Sequence, residues 1–256
     1  MNVHRSPTTP HACPEGEWRV RCDLAALYRL VAHFRMTDFI FTHISARVPG
    51  PEGHFLINSY GVHFHEMRAS DLVKIDGDGN VVEDGPETKE VNAAGFTIHS
   101  AIHMARHDLA CVVHTHTAAG IAVSAQKQGL LPISQHALKY HGRLAYHGYE
   151  GVALDLDERE RLVADLGPHD AMILRNHGLL AAGRSVPEAF DNIYFLERAC
   201  QAQIAALAGG AELVFPPEEV RSHTAAQFRR DDGARSARAW KAALRLVEHD
   251  RVDYRS

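Results

Sequence analysis

Apolar residues recur every three or four positions in several stretches of the chain, the spacing that places them on one face of a helix. In residues 18–34, for example, Leu24, Leu27 and Val31 fall on such a face. The same spacing predicts helices over 93–106, 118–126, 158–166 and 187–208, the last with a proline in its first turn. A final amphipathic helix is predicted near the C-terminus, with an apolar face made of Ala239, Trp240, Ala243, Leu244 and Val247.

Short apolar runs bounded by turn residues predict strands between these helices. The strands cover 39–48, 54–58, 109–116, 171–174 and 179–182, and a hairpin over 72–83 turns at 77–80. Because strands and helices are mixed rather than strictly alternating, the pattern favours an α/β protein, a three-layer α/β/α domain around a central, mostly antiparallel sheet. We expect a flexible N-terminal arm over 1–16, the domain over 17–215, and a C-terminal tail with the amphipathic helix over 216–256.

The composition indicates a globular protein and argues against nucleic acid or a membrane as its main partner. Hydrophobic residues make up 45% of the 256 positions, and 27 basic against 32 acidic residues give a net charge of −5. No run of about 18 apolar residues predicts a membrane span, and mild acidity argues against nucleic acid as the main partner. The start is polar and Pro-rich, unlike a secretory signal. Four scattered cysteines are typical of reduced thiols in the cytoplasm.

Histidine is unusually frequent, with 19 residues, and two of them stand out. His114 and His116 lie two positions apart at the end of an apolar strand, so both imidazoles point to the same face. Both can reach one ion at the ~2.1 Å that a zinc–nitrogen bond requires. The alternative is two surface or core histidines that happen to alternate. Imidazole suits zinc, iron, nickel and manganese alike, so the spacing does not choose the metal.

His177 is the best candidate for a third ligand. It ends a second apolar strand and is followed by Gly178, which leaves room for an ion and its ligands. The alternative is a turn histidine that caps the strand. Three imidazoles leave at least one coordination position open, which is typical of a catalytic rather than a structural metal site.

Several segments together resemble the class II aldolase/adducin N-terminal family over about residues 20–210, and its adducin-head-like bacterial branch in particular. These segments are THISAR at 42–47, FLINSYG at 55–61, LVKID at 72–76, HSAIH at 99–103, VHTHT at 113–117, GLLPISQ at 129–135, AYH at 145–147 and LRNHGL at 174–179. The resemblance implies an α/β/α fold and a homotetramer with active sites between subunits. It also implies that His114, His116 and His177 bind a divalent metal, zinc in the aldolases.

The sequence departs from the aldolases where they bind phosphate and move protons. Their Ser-Ser-Glu segment, in which Glu is the acid/base, corresponds here to Ala93, Ala94 and Gly95. Glycine cannot transfer a proton and alanine cannot bind phosphate. At the positions of two further phosphate-binding elements of the aldolases, this chain has Thr42-His43 and Tyr60-Gly61. We therefore expect that sugar phosphates are not the substrate.

Two residues are candidates for the missing acid/base. His136 aligns near the tyrosine that the aldolases take from a neighbouring subunit, and an imidazole titrates near neutral pH. Glu66 follows His63 and His65 in a second polar cluster. The alternatives are loop or subunit contacts for the two histidines, and helix capping or ion pairing for Glu66.

Three functions remain open. The first is an aldolase-like carbon–carbon lyase that uses a divalent metal as Lewis acid on a small non-phosphorylated carbonyl or hydroxy-acid substrate, with zinc favoured and Fe(II) or Mn possible. The second is a non-haem Fe(II) oxygenase or decarboxylase of an aromatic 2-oxo acid. The third is a non-catalytic assembly module resembling the adducin head. No serine-hydrolase, P-loop or dinucleotide-binding motif is present, and Cys111 is expected to be a core residue.

Overall fold

The computed structural model describes residues 13–50, 53–82, 90–152, 157–230 and 233–256. Residues 1–12 of the expected N-terminal arm lie outside this part. Of the arm's last four residues, Glu15 and Gly16 already belong to the first helix.

A seven-stranded sheet forms the centre of the described structure. Its strands are β1 (His43–Arg47), β2 (Phe55–Asn58), β3 (Leu72–Ile75), β4 (Cys111–Thr115), β5 (Leu144–His147), β6 (Ala171–Leu174) and β7 (Gly178–Gly183). They are arranged in the order β3-β2-β1-β4-β7-β6-β5. Every adjacent pair is antiparallel except β5 and β6. The predicted mostly antiparallel sheet is confirmed.

Helices surround this sheet. They are α1 (Glu15–His33), α2 (Ala93–Ala105), α3 (Ala118–Ser124), α4 (Gln135–Leu138), α5 (Glu158–Leu166), α6 (Val186–Leu207), α7 (Glu218–Arg229) and α8 (Ala234–Leu244). Ser185 caps the N-terminus of α6 through its side chain, and a proline stands in the first turn. A short 3₁₀ turn, Ala69–Asp71, precedes β3.

Side chains on the two faces of the sheet enter two different cores, because successive residues of a strand point in opposite directions. On β4, Val113 packs into a core with α1 and α6, whereas Val112 packs into a second core with α2 and α5. The three-layer α/β/α architecture is therefore confirmed. Cys111 is fully buried in the first core, where burial raises the pKa of its thiol, as expected for a core residue.

The structure differs from the prediction at several element boundaries. The strand expected from residue 39 begins at His43, because Phe39 has a φ of 49° and the preceding segment turns. The expected hairpin has a turn closed by Asp76, but its second strand is reduced to one bridge, Ile75 to Val81, and its last residue, 83, lies outside the described part. Sequence periodicity missed β5, α4 and α7.

The C-terminal segment packs against the domain. Trp240 on α8 meets Phe190 on α6, with ring centroids 5.7 Å apart, and joins the larger core. The buried guanidinium of Arg29 on α1 donates to the carbonyl oxygen of Val252 at 2.5 Å and pairs with Asp250 at 3.3 Å. The final residues thus supply partners for a charge in the interior. None of the described helices is long and apolar enough to span a membrane.

Candidate metal centre

Three imidazoles converge at one end of the sheet. His114 lies on β4, His116 directly after it, and His177 in the turn between β6 and β7. The Nε2 atom of His116 is 2.8 Å from the Nε2 atoms of both His114 and His177. One ligand atom from each residue lies within 4.8 Å of the others. The structure brings together the three residues that the sequence predicts as metal ligands.

His177 lies 61 positions after His116 in the chain, and the pairing of β4 with β7 explains how it reaches His114 and His116. Thr115 is paired with Leu179, so the turn that precedes β7 lies beside the end of β4. Within this turn, Asn176 has a φ of 56°, a conformation that asparagine tolerates better than most residues. A Cβ atom at Gly178 would overlap the carbonyl oxygen of Thr115, so only glycine allows this close approach.

Hydrogen bonds at the outer ring nitrogens orient two of the imidazoles. His114 Nδ1–H donates to the carbonyl oxygen of Leu179 at 3.0 Å, and His116 Nδ1–H donates to Asp38 Oδ2 at 3.0 Å. With the proton on Nδ1, each ring turns the lone pair of Nε2 toward the centre. A carboxylate or carbonyl behind a histidine is the usual support of a metal-ligating imidazole.

The donor set fits a divalent cation. Nitrogen lone pairs 2.8 Å apart repel one another unless a positive charge lies between them. Burial and the neighbouring imidazoles lower the pKa of His114 well below its usual value and that of His177 to about 4. Both rings are therefore neutral near pH 7, and neutral imidazole is the form that binds a metal. Three nitrogen donors match the ligand number of catalytic zinc sites.

A layer of further histidines lies behind this centre, between β1 and α2. His43 is paired with His114 across β1 and β4, and the two rings stack with centroids 5.5 Å apart. The ring of His99 stands at 90° to that of His43, with centroids 5.3 Å apart. Burial lowers the pKa of His43 well below its usual value, so its ring is also neutral.

Ser45 links the two histidines of α2. Its Oγ is 2.6 Å from His99 Nδ1 and 2.7 Å from His103 Nε2. A hydroxyl group has one proton, so Ser45 donates to one imidazole and accepts from the other. Burial is the main cause that lowers the pKa of both His99 and His103 to about 3. The sequence signal for this pair was the spacing of four residues on a helix, which places both rings on one face.

The two predicted proton-transfer residues lie elsewhere in the chain. His136 on α4 packs against Phe195 of α6, with ring centroids 5.1 Å apart. The Glu66 carboxylate is 59% exposed and is 3.8 Å from His65 Nε2. Among the contacts of the described residues, neither side chain touches the three converging imidazoles. Sequence reasoning did not single out Asp38, which supports His116, and it did not predict that the ring of His43 packs behind His114.

Comparisons with known proteins agree on one family. The family model described as Class II Aldolase and Adducin N-terminal domain matches residues 22–204. An aldolase II superfamily protein from Pseudomonas syringae, with a crystal structure, is 58% identical, covers 96% of this chain and 98% of its own, and has a TM-score of 0.91. An L-fuculose 1-phosphate aldolase from Glaciozyma antarctica is 28% identical, with coverages of 95% and 94% and a TM-score of 0.83. Alpha-adducin of Rattus norvegicus is 48% identical over 77% of this chain and 27% of its own length.

Proposed function

Because the chain belongs to the class II aldolase and adducin N-terminal family, we propose that it is a divalent-metal-dependent enzyme. The proposed reaction is aldolase-like cleavage of a carbon–carbon bond in a small, non-phosphorylated carbonyl or hydroxy-acid substrate. The observation that supports it most strongly is the convergence of three imidazoles, two of which have oriented outer nitrogens. The similarity to the L-fuculose 1-phosphate aldolase over the whole fold supports the reaction class.

His114, His116 and His177 would hold the metal, with zinc as the favoured ion. When bound, the ion supplies a Lewis acid that polarises substrate oxygen atoms. Leu179 and Asp38 keep the ligand rings in the required tautomer. The rings of His43 and His99 pack behind His114 on the α2 side.

The substrate class follows from what the chain lacks relative to the aldolases. Gly95 stands where they have the acid/base glutamate, and the positions corresponding to their phosphate-binding residues are filled by alanines, Thr42-His43 and Tyr60-Gly61. A dianion bound here would lack the donors that usually neutralise it. Small hydroxy acids and carbonyl compounds do not need such donors.

The candidates for proton transfer are Glu66 and His136. Glu66 belongs to the segment of His63, whose ring meets Phe39 with centroids 5.0 Å apart, and Phe39 follows the Asp38 that supports His116. This chain of contacts links the Glu66 segment to the residue that follows Asp38, which supports the Glu66 candidate. His136 lies against α6 of its own chain, so it could act only on the centre of another subunit. Such sharing fits the proposed cytoplasmic homotetramer. The exposed rings of Phe39 and Phe41 beside the centre are suited to a subunit contact.

The first test combines metal analysis with a cleavage assay. Protein purified without oxygen is expected to hold about one zinc ion per chain and to release a carbonyl product from a panel of small hydroxy acids. L-fuculose 1-phosphate and ribulose 5-phosphate serve as phosphorylated controls and are expected to bind weakly. Micromolar affinity for either would contradict the substrate class. Iron with oxygen uptake would favour the oxygenase, and no metal at all would favour the assembly module.

Replacing Asp38 with alanine is expected to weaken zinc binding by about 10–100-fold, because the carboxylate orients the ring of His116. The affinity can be measured by competition with a coloured chelator. Asp108 pairs with Arg106 on the surface, and its alanine variant is the control, with zinc affinity unchanged. If the Asp38 and Asp108 variants bound zinc equally well, the proposed support of His116 would be wrong.

A further inference from the structure

A cavity of about 390 Å³ lies at the opposite end of the sheet from the three converging imidazoles. Leu109 and Gly183 line it, and Gly183 is paired with Cys111 at the start of β4. A strand rises about 3.3 Å per residue, so about 10 Å of β4 separates Cys111 from His114. The cavity is therefore separate from the candidate metal centre, and residues of α6, α7 and α8 contribute to its wall.

The charged side chains around this cavity are mostly basic, although the chain as a whole is acidic. Among the described residues that line it, six are basic and four are acidic, whereas the net charge of the chain is −5. The basic residues are Arg106, Lys139, Arg143, Arg184, Arg229 and Arg235. A concave surface with an excess of one sign of charge attracts ligands of the opposite sign.

The ion pairs among the lining residues do not match one acid to each base. Lys139 Nζ and Arg235 Nη2 both pair with the same atom, Oδ2 of Asp191, at 2.5 Å and 2.9 Å. Asp191 thus divides one negative charge between two cations. Arg229, near the end of α7, is exposed and forms no ion pair within the described part of the chain.

Lys139 is the buried cation of this cavity. Its side chain is 7% exposed, and Asp191 is the one hydrogen-bond acceptor of its ammonium group among the described residues. Burial lowers the pKa of Lys139 although the neighbouring Asp191 raises it, so this ion pair does not offset the loss of hydration. An ammonium group has three N–H donors, which leaves donors for the oxygen atoms of a ligand.

We propose that this cavity binds a small anion with a diphosphate group, and that Lys139 and Arg229 contact it. The site goes beyond the proposed enzymatic function and does not depend on it. An excess of two basic side chains matches a ligand with two or more negative charges, and arginine and lysine bind phosphate oxygens strongly. The volume is within the range of about 300–1,000 Å³ that is usual for small-molecule sites.

The test titrates the full-length protein with pyrophosphate by calorimetry at low ionic strength, without added metal. We expect one saturable site per chain, with an affinity that falls as salt is added. Inorganic phosphate is expected to bind about tenfold more weakly, so sugars with one phosphate group remain weak ligands. ADP in place of pyrophosphate distinguishes a diphosphate ester from the free diphosphate, and saturable binding of either supports the site.

Two variants at the rim of the cavity have opposite expected effects. Arg229→Gln removes a positive charge and is expected to weaken pyrophosphate binding about threefold. Asp108, which is 57% exposed, also lines the cavity, and Asp108→Asn is expected to strengthen binding about twofold. A general loss of structure would not produce both changes. Arg238 is exposed on α8 outside the lining, and Arg238→Gln is the matched control, with affinity unchanged.

Lys139→Gln keeps a donor for Asp191 but removes the charge, and it is expected to weaken pyrophosphate binding by about tenfold or more. Circular dichroism must first show that this buried variant folds, and Arg229→Gln keeps the inference testable if it does not. His177→Ala changes the proposed metal centre and is expected to leave pyrophosphate binding unchanged.

Four results would overturn the inference. The first is the absence of saturable binding of pyrophosphate and ADP to the wild-type protein. The second is an equal weakening in Arg229→Gln and Arg238→Gln, which would indicate non-specific attraction. The third is an unchanged affinity in a folded Lys139→Gln variant, and the fourth is a loss of binding in His177→Ala, which would place the anion at the metal centre. A protein that binds pyrophosphate but no zinc would instead contradict the proposed function alone.

Discussion

Replacing His177 with alanine is expected to lower zinc affinity by about 100-fold or more and to abolish catalysis. Apparent binding free energies of about 10–16 kcal/mol for four-ligand zinc sites correspond to roughly 3 kcal/mol per ligand. The remaining Nε2 atoms of His114 and His116 would form a two-nitrogen site with no third protein donor from the turn between β6 and β7. Equilibrium dialysis gives the affinity, and the hydroxy-acid cleavage assay gives the activity.

His114→Ala tests the same centre from β4 and is expected to have the same effect on zinc. Because His114 is fully buried, its variant must first be shown to fold by circular dichroism. His177 is less buried, so the test does not depend on His114 alone. His65→Ala removes an exposed imidazole and serves as the control, with zinc content retained. Normal zinc content in a folded His177 or His114 variant would refute the ligand assignment.

The metal-free protein is expected to lose stability steeply as the pH falls from 7 to 5. His99 and His103 have a pKa of about 3 in the folded chain, mainly because of burial, against an ordinary value of 6.5. Below pH 6.5 the unfolded chain therefore binds protons that the folded chain does not, and acid favours unfolding. The contribution of each histidine approaches about 1.4 kcal/mol per pH unit as the pH falls, so the pair contributes about 3 kcal/mol between pH 6.5 and 5.

Urea unfolding at pH 7, 6 and 5 in the presence of a chelator measures this dependence. His103→Phe removes one of the two groups and is expected to reduce the slope by about 1.4 kcal/mol per pH unit. His249→Phe, at an exposed position near the C-terminus, should leave the slope unchanged. A free energy of unfolding that is constant over this range would show that the buried imidazoles are not held neutral.

Local patterns were sufficient to predict the sheet-and-helix architecture and to select the three candidate ligands. The alternation of His114 and His116 on a strand needs only the geometry of a single β-strand. The position of His177 depends on tertiary structure, because only the pairing of β4 with β7 places its turn beside His114 and His116. The strand end and Gly178 made His177 a candidate in the sequence, and the resemblance to a family with this motif supported that choice.

The residues behind the ligands could not be predicted, because their positions depend on contacts between distant segments. Asp38 reaches His116 only because the chain turns after Phe39 instead of continuing as a strand. His43 lies on His114 because of the register between β1 and β4, which a single sequence does not reveal. The missing side chain at residue 95 was visible in the sequence, but the ring that fills its space was not.

The elements missed by periodicity are short or polar. β5 and α4 have four residues each, too few for a repeating pattern to be recognised. α7 is polar along most of its length, with Ala225 as its one buried residue in the described structure. Its position is determined by packing beside α4 rather than by its own sequence.

Asp250 and Val252, near the C-terminus, are polar partners of the buried Arg29 guanidinium. The family match stops at residue 204. A chain shortened to that residue would lack Asp250, so the guanidinium of Arg29 would stay buried without its counter-ion. It would also remove Trp240 from its contact with Phe190 and expose an apolar aromatic surface on α6, which favours aggregation. Helix α8 and the segment that contains Asp250 and Val252 therefore pack as part of the domain, and shortened variants for expression or crystallisation should retain them.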